Sequence, residues 1–171
     1  MKKLLSVIAI VLSLALCLCA CGETVTPPDE TSPETEEVES LNLDEVYEKI
    51  IAAQSETGME ELALYKEEDT EIIEGYYEGL GNIELNQEVC YMAFVTGSAT
   101  EIMLVEVASL DDVAKVQEIF NNRIDVNPDD LCDPGIAETW QNNAVVQVSG
   151  NYVAMVVLPD GYVIPENVFE F

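Results

Sequence analysis

Acidic side chains are the commonest chemistry-bearing groups in this chain: 34 Asp and Glu against six Lys and Arg in 171 residues, with no histidine. Two carboxylates at a fixed separation suffice for glycosidase-like acid and base work, so the acids keep that mechanism within reach while singling out no pair. Without histidine, any His-dependent triad, His-rich metal site or imidazole base is excluded. No glycine-rich phosphate loop is present either. One stretch has the spacing of metal ligands: Asp125-x-Asn127-x-Asp129 begins like a calcium loop. It then departs from that pattern, with Asp130 at the sharp-turn glycine position, Ile136 at the bidentate position and Glu138 two residues late. Asp125, Asn127, Asp129, Asp130 and Asp133 are thus candidates for weak, millimolar-range cation binding, against the plainer reading of a solvated helix-ending loop. The expectation is a protein that is not an enzyme and needs no cofactor.

Aromatic and sulfur chemistry is sparse. Tyr76, Tyr77, Tyr91, Trp140 and Tyr152 could form a surface for peptide or glycan recognition, although such residues more often belong to a core or its rim. Of five cysteines, Cys17, Cys19 and Cys21 sit together near the N-terminus, leaving Cys90 and Cys132 in the body. Cys90 reads as a small buried hydrophobe. A disulfide between Cys90 and Cys132 is the alternative in an exported protein.

Met1-Lys2-Lys3 followed by the apolar run Leu4 to Leu18 is the layout of a signal peptide, too short for the roughly 20 residues of a membrane-spanning helix. Its end, Leu18-Cys19-Ala20-Cys21, resembles the lipobox of bacterial lipoproteins, with a branched aliphatic, a small residue and then the modified cysteine. Cys17 and Cys19 are each preceded by leucine where the motif wants a small residue, so Cys21 is the expected lipidation site. Diacylglycerol attaches through a thioether, and cleavage before Cys21 makes it the N-terminus. One acyl chain binds a membrane only marginally, whereas two chains at ~0.8 kcal/mol per buried methylene hold stably. The plainer alternative is an ordinary cleaved signal peptide with an incidental cysteine.

Residues 1–20 are therefore read as leader, 21–41 as an acidic, Pro/Thr-rich disordered tether and 42–171 as a single domain. Gly22 to Ser40 holds three prolines and seven acids with only Val25 and Val38 as large apolar residues, too little to offset the entropy of ordering. Its reach is roughly 25–60 Å. The formal net charge of −28 excludes nucleic acid as a partner and favours a soluble monomer.

In the domain, Leu43, Val46, Tyr47, Ile50 and Ile51 share a helical face behind Asn42 as cap. Apolar clusters at Leu62 to Tyr65 and Ile72 to Leu80 follow, the second with helix-like spacing. Glu88 to Thr96 and Glu101 to Ala108 predict a hairpin around a four-residue loop, with Thr96 facing Glu101. Its Cys90/Met92/Phe94 side is turned to the helices. Ser109 caps a second helix that buries Leu110, Val113, Val116, Phe120 and Ile124. A second hairpin turns at Gly150-Asn151 and pairs Val148 with Val153 and Val146 with Met155. The tail offers Ile164, Val168 and Phe169 for docking, with Pro165 starting a short helix. Two hairpins on two main helices predict a two-layer α+β domain with a mainly antiparallel sheet, covered on one side.

Glu101-Ile102 at a strand start, the Ser109 to Asp125 helix and the run Asn143 to Val153 resemble the small clostridial lipoproteins grouped as domain of unknown function 4358. The resemblance spans roughly Leu43 to Leu158 and departs at Leu131-Cys132-Asp133-Pro134, where such proteins tend to carry Tyr-x-Pro. It implies a lipid-anchored protein on the extracytoplasmic face of the membrane, with no functional residues to carry over. The expected role is a binding or interaction module for an envelope protein, peptide or glycan. The alternative is an envelope hydrolase acting on wall glycan or peptide through paired carboxylates.

Overall fold

The computed structural model describes residues 40–94, 98–125 and 134–170. Cys21, the tether up to residue 39, Asn127, Asp129, Asp130, Cys132 and Asp133 lie outside the described residues. Glu39–Phe171 forms one compact unit. The two apolar cores of the described residues lie inside it, the anatomy of a domain with its own core.

Helix α1 (Leu43–Gln54) begins where its cap dictates: Asn42 Oδ1 accepts from the backbone N–H of Asp44 at 3.0 Å and of Glu45 at 3.4 Å. Strand β1 (Leu64–Glu67) follows, then α2 (Thr70–Tyr76), capped by Asp69 through Glu71 N at 2.9 Å and Ile72 N at 3.4 Å. Next come β2 (Leu85–Ala93) and β3 (Glu101–Val107), and a 3-10 turn, Leu110–Asp112, that leads into α3 (Val113–Ile124). Helix α4 (Pro134–Asn143) and the hairpin β4 (Val145–Ser149) and β5 (Tyr152–Val157) complete the order. The sheet is antiparallel throughout, ordered β1-β2-β3-β5-β4. This is the expected α+β class, with α1 and α3 as its main helices.

The helices are shared between the two faces of the sheet. Leu43, Val46 and Ile50 of α1 pack with Val89, Ile102, Leu104, Ala154 and Val156. Ile73, Tyr77, Val116, Phe120 and Trp140 pack with Cys90, Met103, Val105, Val153 and Met155 on the other face. The expectation that one side stays open is corrected by the central strands. Every residue of β3 is buried, and a strand apolar on both sides needs cover on both.

The second hairpin has the expected register, with Val148 opposite Val153 and Val146 opposite Met155. Its two-residue turn leaves no choice, and Gly150 supplies the positive φ of 59° that the turn needs. The first hairpin is shifted: Met92, not Thr96, stands opposite Glu101. The cause is β1, which pairs Leu64 with Ala93 and takes the Phe94 N–H on Ala63 C=O at 3.1 Å, drawing the end of β2 away from β3. A shift of four keeps each side chain on its predicted face, because strand alternation has period two.

Two smaller expectations are also corrected. Leu110 lies in the 3-10 turn ahead of α3 and is 68% exposed rather than buried. Pro165 starts no helix; its C=O accepts from Gln147 Nε2 at 2.9 Å. The tail docks as expected, with Val168 and Phe169 buried against the α1 face. Gln54 holds it by accepting from Val163 N at 2.9 Å and donating to Val163 O at 2.8 Å.

Glu106, near the end of β3, is a buried carboxylate surrounded by amides. Gln87 Nε2 donates to it at 2.6 Å, Asn151 Nδ2 at 3.1 Å and Asn86 Nδ2 at 3.3 Å. Burial works against its charge, but those donors outweigh burial and hold its pKa below the usual carboxylate range. A depressed folded pKa contributes stability above the unfolded value of about 4.3, lost as pH falls through the folded value. Urea midpoints should therefore fall more steeply toward acid for the wild type than for Glu106→Gln, compared between about pH 7 and pH 3. Parallel acid limbs would show that Glu106 is not the group responsible.

Candidate functional site

The most distinctive polar constellation lies in the core between β3 and α3. Alternation along β3 places Glu101 on the same face as Met103, Val105 and Val107, and Glu101 is 2% exposed. On α3, Arg123 follows the buried Phe120 by three residues and so shares its apolar face. The two meet as a bidentate pair: Arg123 Nη2 donates to Glu101 Oε2 at 2.7 Å and Nε to Oε1 at 3.0 Å. Tyr77, fully buried at the end of α2, donates its hydroxyl to Glu101 Oε1.

The guanidinium is also bracketed by aromatic rings, lying 4.6 Å from the centroid of Tyr76 and 4.6 Å from that of Trp140. Cation–π contact of this kind gains weight where water is excluded. Burial disfavours the Arg123 charge, while the hydrogen bonds and charge of Glu101 more than offset it and raise its pKa. Burial, then the charge of Glu101, pushes the Tyr77 hydroxyl well above its usual range. Trp140 Nε1 is buried without an acceptor among the described residues. Outside this group a cleft of about 550 Å³ opens between Tyr76, Glu78, Asn122 and Arg123.

A second cleft, about 370 Å³, runs between α2 and β2 and contains two carboxylates, Glu74 and Glu88. Glu74 accepts from Gly79 N at 2.8 Å and Gly81 N at 2.7 Å, which lowers its pKa. Glu88, exposed at its place on β2, is raised by partial loss of water on the cleft side. Two acids in one cleft pushed in opposite directions is the arrangement acid–base chemistry uses. The two Glu74 bonds also fasten the turn after α2, where Gly79 takes a φ of 96°.

The five aromatic residues expected to share a surface are separated. Tyr77 and Trp140 are buried in one core, while Tyr91 and Tyr152 pack against the other. Tyr91 stacks on Tyr47 with centroids 3.4 Å apart, and the Tyr152 hydroxyl accepts from Leu41 N at 3.0 Å. Tyr76 alone of the five is exposed, at 48%; Phe94, at 68% and 5.0 Å from Tyr65, is a further open aromatic. Asp125 is the only cation candidate among the described residues, and it ends α3 with its N–H on Asn121 O at 2.9 Å. Among the described residues no group of three or more His, Cys, Asp or Glu is placed to hold a metal ion.

Cys90 is a free thiol in the core, 1% exposed. Burial, then the charge of Glu101, pushes its pKa far above the ordinary thiol value. Alkylation with iodoacetamide at about pH 8 should leave Cys90 unmodified in the native protein and modify it fully in denaturant, read by peptide mass spectrometry. Native labelling of Cys90 would contradict its placement.

The Glu101–Arg123 pair was missed in the sequence, although a signal existed: an acid on the apolar side of a strand and one of the few bases on the apolar face of a helix. No family model, no curated protein and no solved structure matches the chain.

Proposed function

We propose that this chain is an extracytoplasmic lipoprotein, anchored through Cys21, whose folded domain is a non-catalytic binding or interaction module. The resemblance to domain of unknown function 4358 belongs to the same proposal. The observation that carries it is the order basic start, fifteen-residue apolar run, Leu18-Cys19-Ala20-Cys21 and acidic tether. The domain's commitments agree: the two deeply buried acids among the described residues, Glu101 and Glu106, are taken up in bonds that hold strands and helices together. Its exposed aromatics, Tyr76 and Phe94, suit contact with an envelope protein, peptide or glycan. A lipid precursor fed to cells making the full chain should label the wild type, and Cys21→Ala should abolish the label and leave the leader uncleaved. Equal labelling of the variant would overturn the anchor.

A hydrolase acting on wall glycan or peptide is the second reading, favoured by the Glu74–Glu88 cleft. In it Glu88, with the raised pKa, is the acid. Release of new reducing ends or amines from purified cell wall by residues 39–171, lost in Glu88→Gln, would establish that reading over the first. No release by the wild type would remove it.

A further inference from the structure

The sheet ends in two edges of different character. Strand β1 is four residues long, contains Lys66 and Glu67, and runs straight into Glu68 and Asp69. Charges on a short edge strand block its pairing with other strands. Strand β4 reads Val-Val-Gln-Val-Ser with no charge and no proline. It lies in a stretch from Thr139 to Pro159 that holds no Asp, Glu, Lys or Arg, within a chain of net charge −28.

The two-residue turn makes Ser149 and Tyr152 a hydrogen-bonded pair, and alternation makes Gln147/Ala154 and Val145/Val156 the next two. The N–H and C=O groups of Val146 and Val148 therefore point away from β5. Among the described residues no backbone group outside the sheet takes them up. All of β4 is at least partly exposed and Val148 is 40% exposed, in contrast to the fully buried β3.

We infer that β4 is a docking edge for β4 of a second copy of this chain, antiparallel across a two-fold axis. Centred on Gln147, that pairing sets Val146 opposite Val148 of the second copy and Val148 opposite its Val146. Each outward N–H then finds an outward C=O, and the sheets of the two copies join into one. Charge selects this occupant. Two strongly acidic chains repel almost everywhere, and like charges directly opposite across strands destabilise pairing, but the five residues of β4 set no charge against their own copy, the nearest acid in the chain segment held by Gln147 being Glu166 of the tail. A cationic partner gains nothing from a neutral edge and is drawn to the acidic surfaces instead. The monomer expected from net charge alone is thus overcome at the one edge where the charge is absent. The inference does not depend on the lipid anchor.

Sedimentation equilibrium of residues 39–171 tests it, over protein concentrations from about 10 μM to about 1 mM. The wild type should pass from monomer to dimer. The dimer should strengthen between about 50 mM and about 500 mM salt, because screening removes the residual repulsion. Val148→Pro removes an outward N–H while sparing the ladder to β5, and should weaken association about tenfold or more. Val148→Glu should do the same by placing an acid on the edge, and circular dichroism checks that each variant is folded. A wild type that stays monomeric throughout, a dimer that weakens with salt, or one unchanged in both folded variants would overturn the inference.

Discussion

Arg123→Met should lower the stability of residues 39–171 by about 3–5 kcal/mol, a fall in melting temperature of about 10–20 °C. The substitution keeps much of the side chain's length and leaves the Glu101 carboxylate, 2% exposed, with the Tyr77 hydroxyl as its remaining donor. A buried charge deprived of its partner is among the few changes that cost this much. The loss reports the stranded charge rather than the net worth of the pair. Glu101→Leu combined with Arg123→Met removes both charges and should recover most of the loss. The double variant would then be more stable than Arg123→Met alone. Urea midpoints of the three proteins check this, and an Arg123→Met variant within about 1 kcal/mol of wild type would mean that water reaches Glu101.

Phe120→Ala should cost a similar amount, about 3–5 kcal/mol, by a different route. Phe120 is fully buried at the centre of α3, and its ring meets that of Tyr77 edge-on with centroids 5.6 Å apart. Removing it leaves a cavity between α3 and the sheet and frees Tyr77, whose hydroxyl supports Glu101. The loss should therefore not add to that of Arg123→Met: a double-mutant cycle should show coupling of about 0.5–3 kcal/mol. Simple additivity would show that Tyr77 holds its place without Phe120.

Both predictions concern residues whose roles are unevenly legible in the chain. Phe120 could be assigned to the core from its spacing with Val116 alone. Arg123 was marked only by its place on the apolar face of α3, a signal outweighed because a lone base in an acidic protein reads as surface and its partner lies 22 residues away in sequence. The same division separates the hairpins. A two-residue turn at Gly150-Asn151 dictates its register locally. The link between β2 and β3 does not, and there β1, a strand too short to show alternation, decided where β2 ends. The candidate site was least legible of all, because it needs α2, α3, α4 and β3 brought together.

Residues a few positions apart were enough to determine the start of α1 at Asn42, the register of the second hairpin and the α+β class. Caps, tight turns and hydrophobic period are all local interactions. Only the tertiary structure decided that both sheet faces are covered, that Glu101 and Arg123 are buried together, and that the sheet has one charged and one uncharged edge. Each of these depends on which strands end up as neighbours. That choice is made by packing between segments far apart in the chain, where no short-range signal records it.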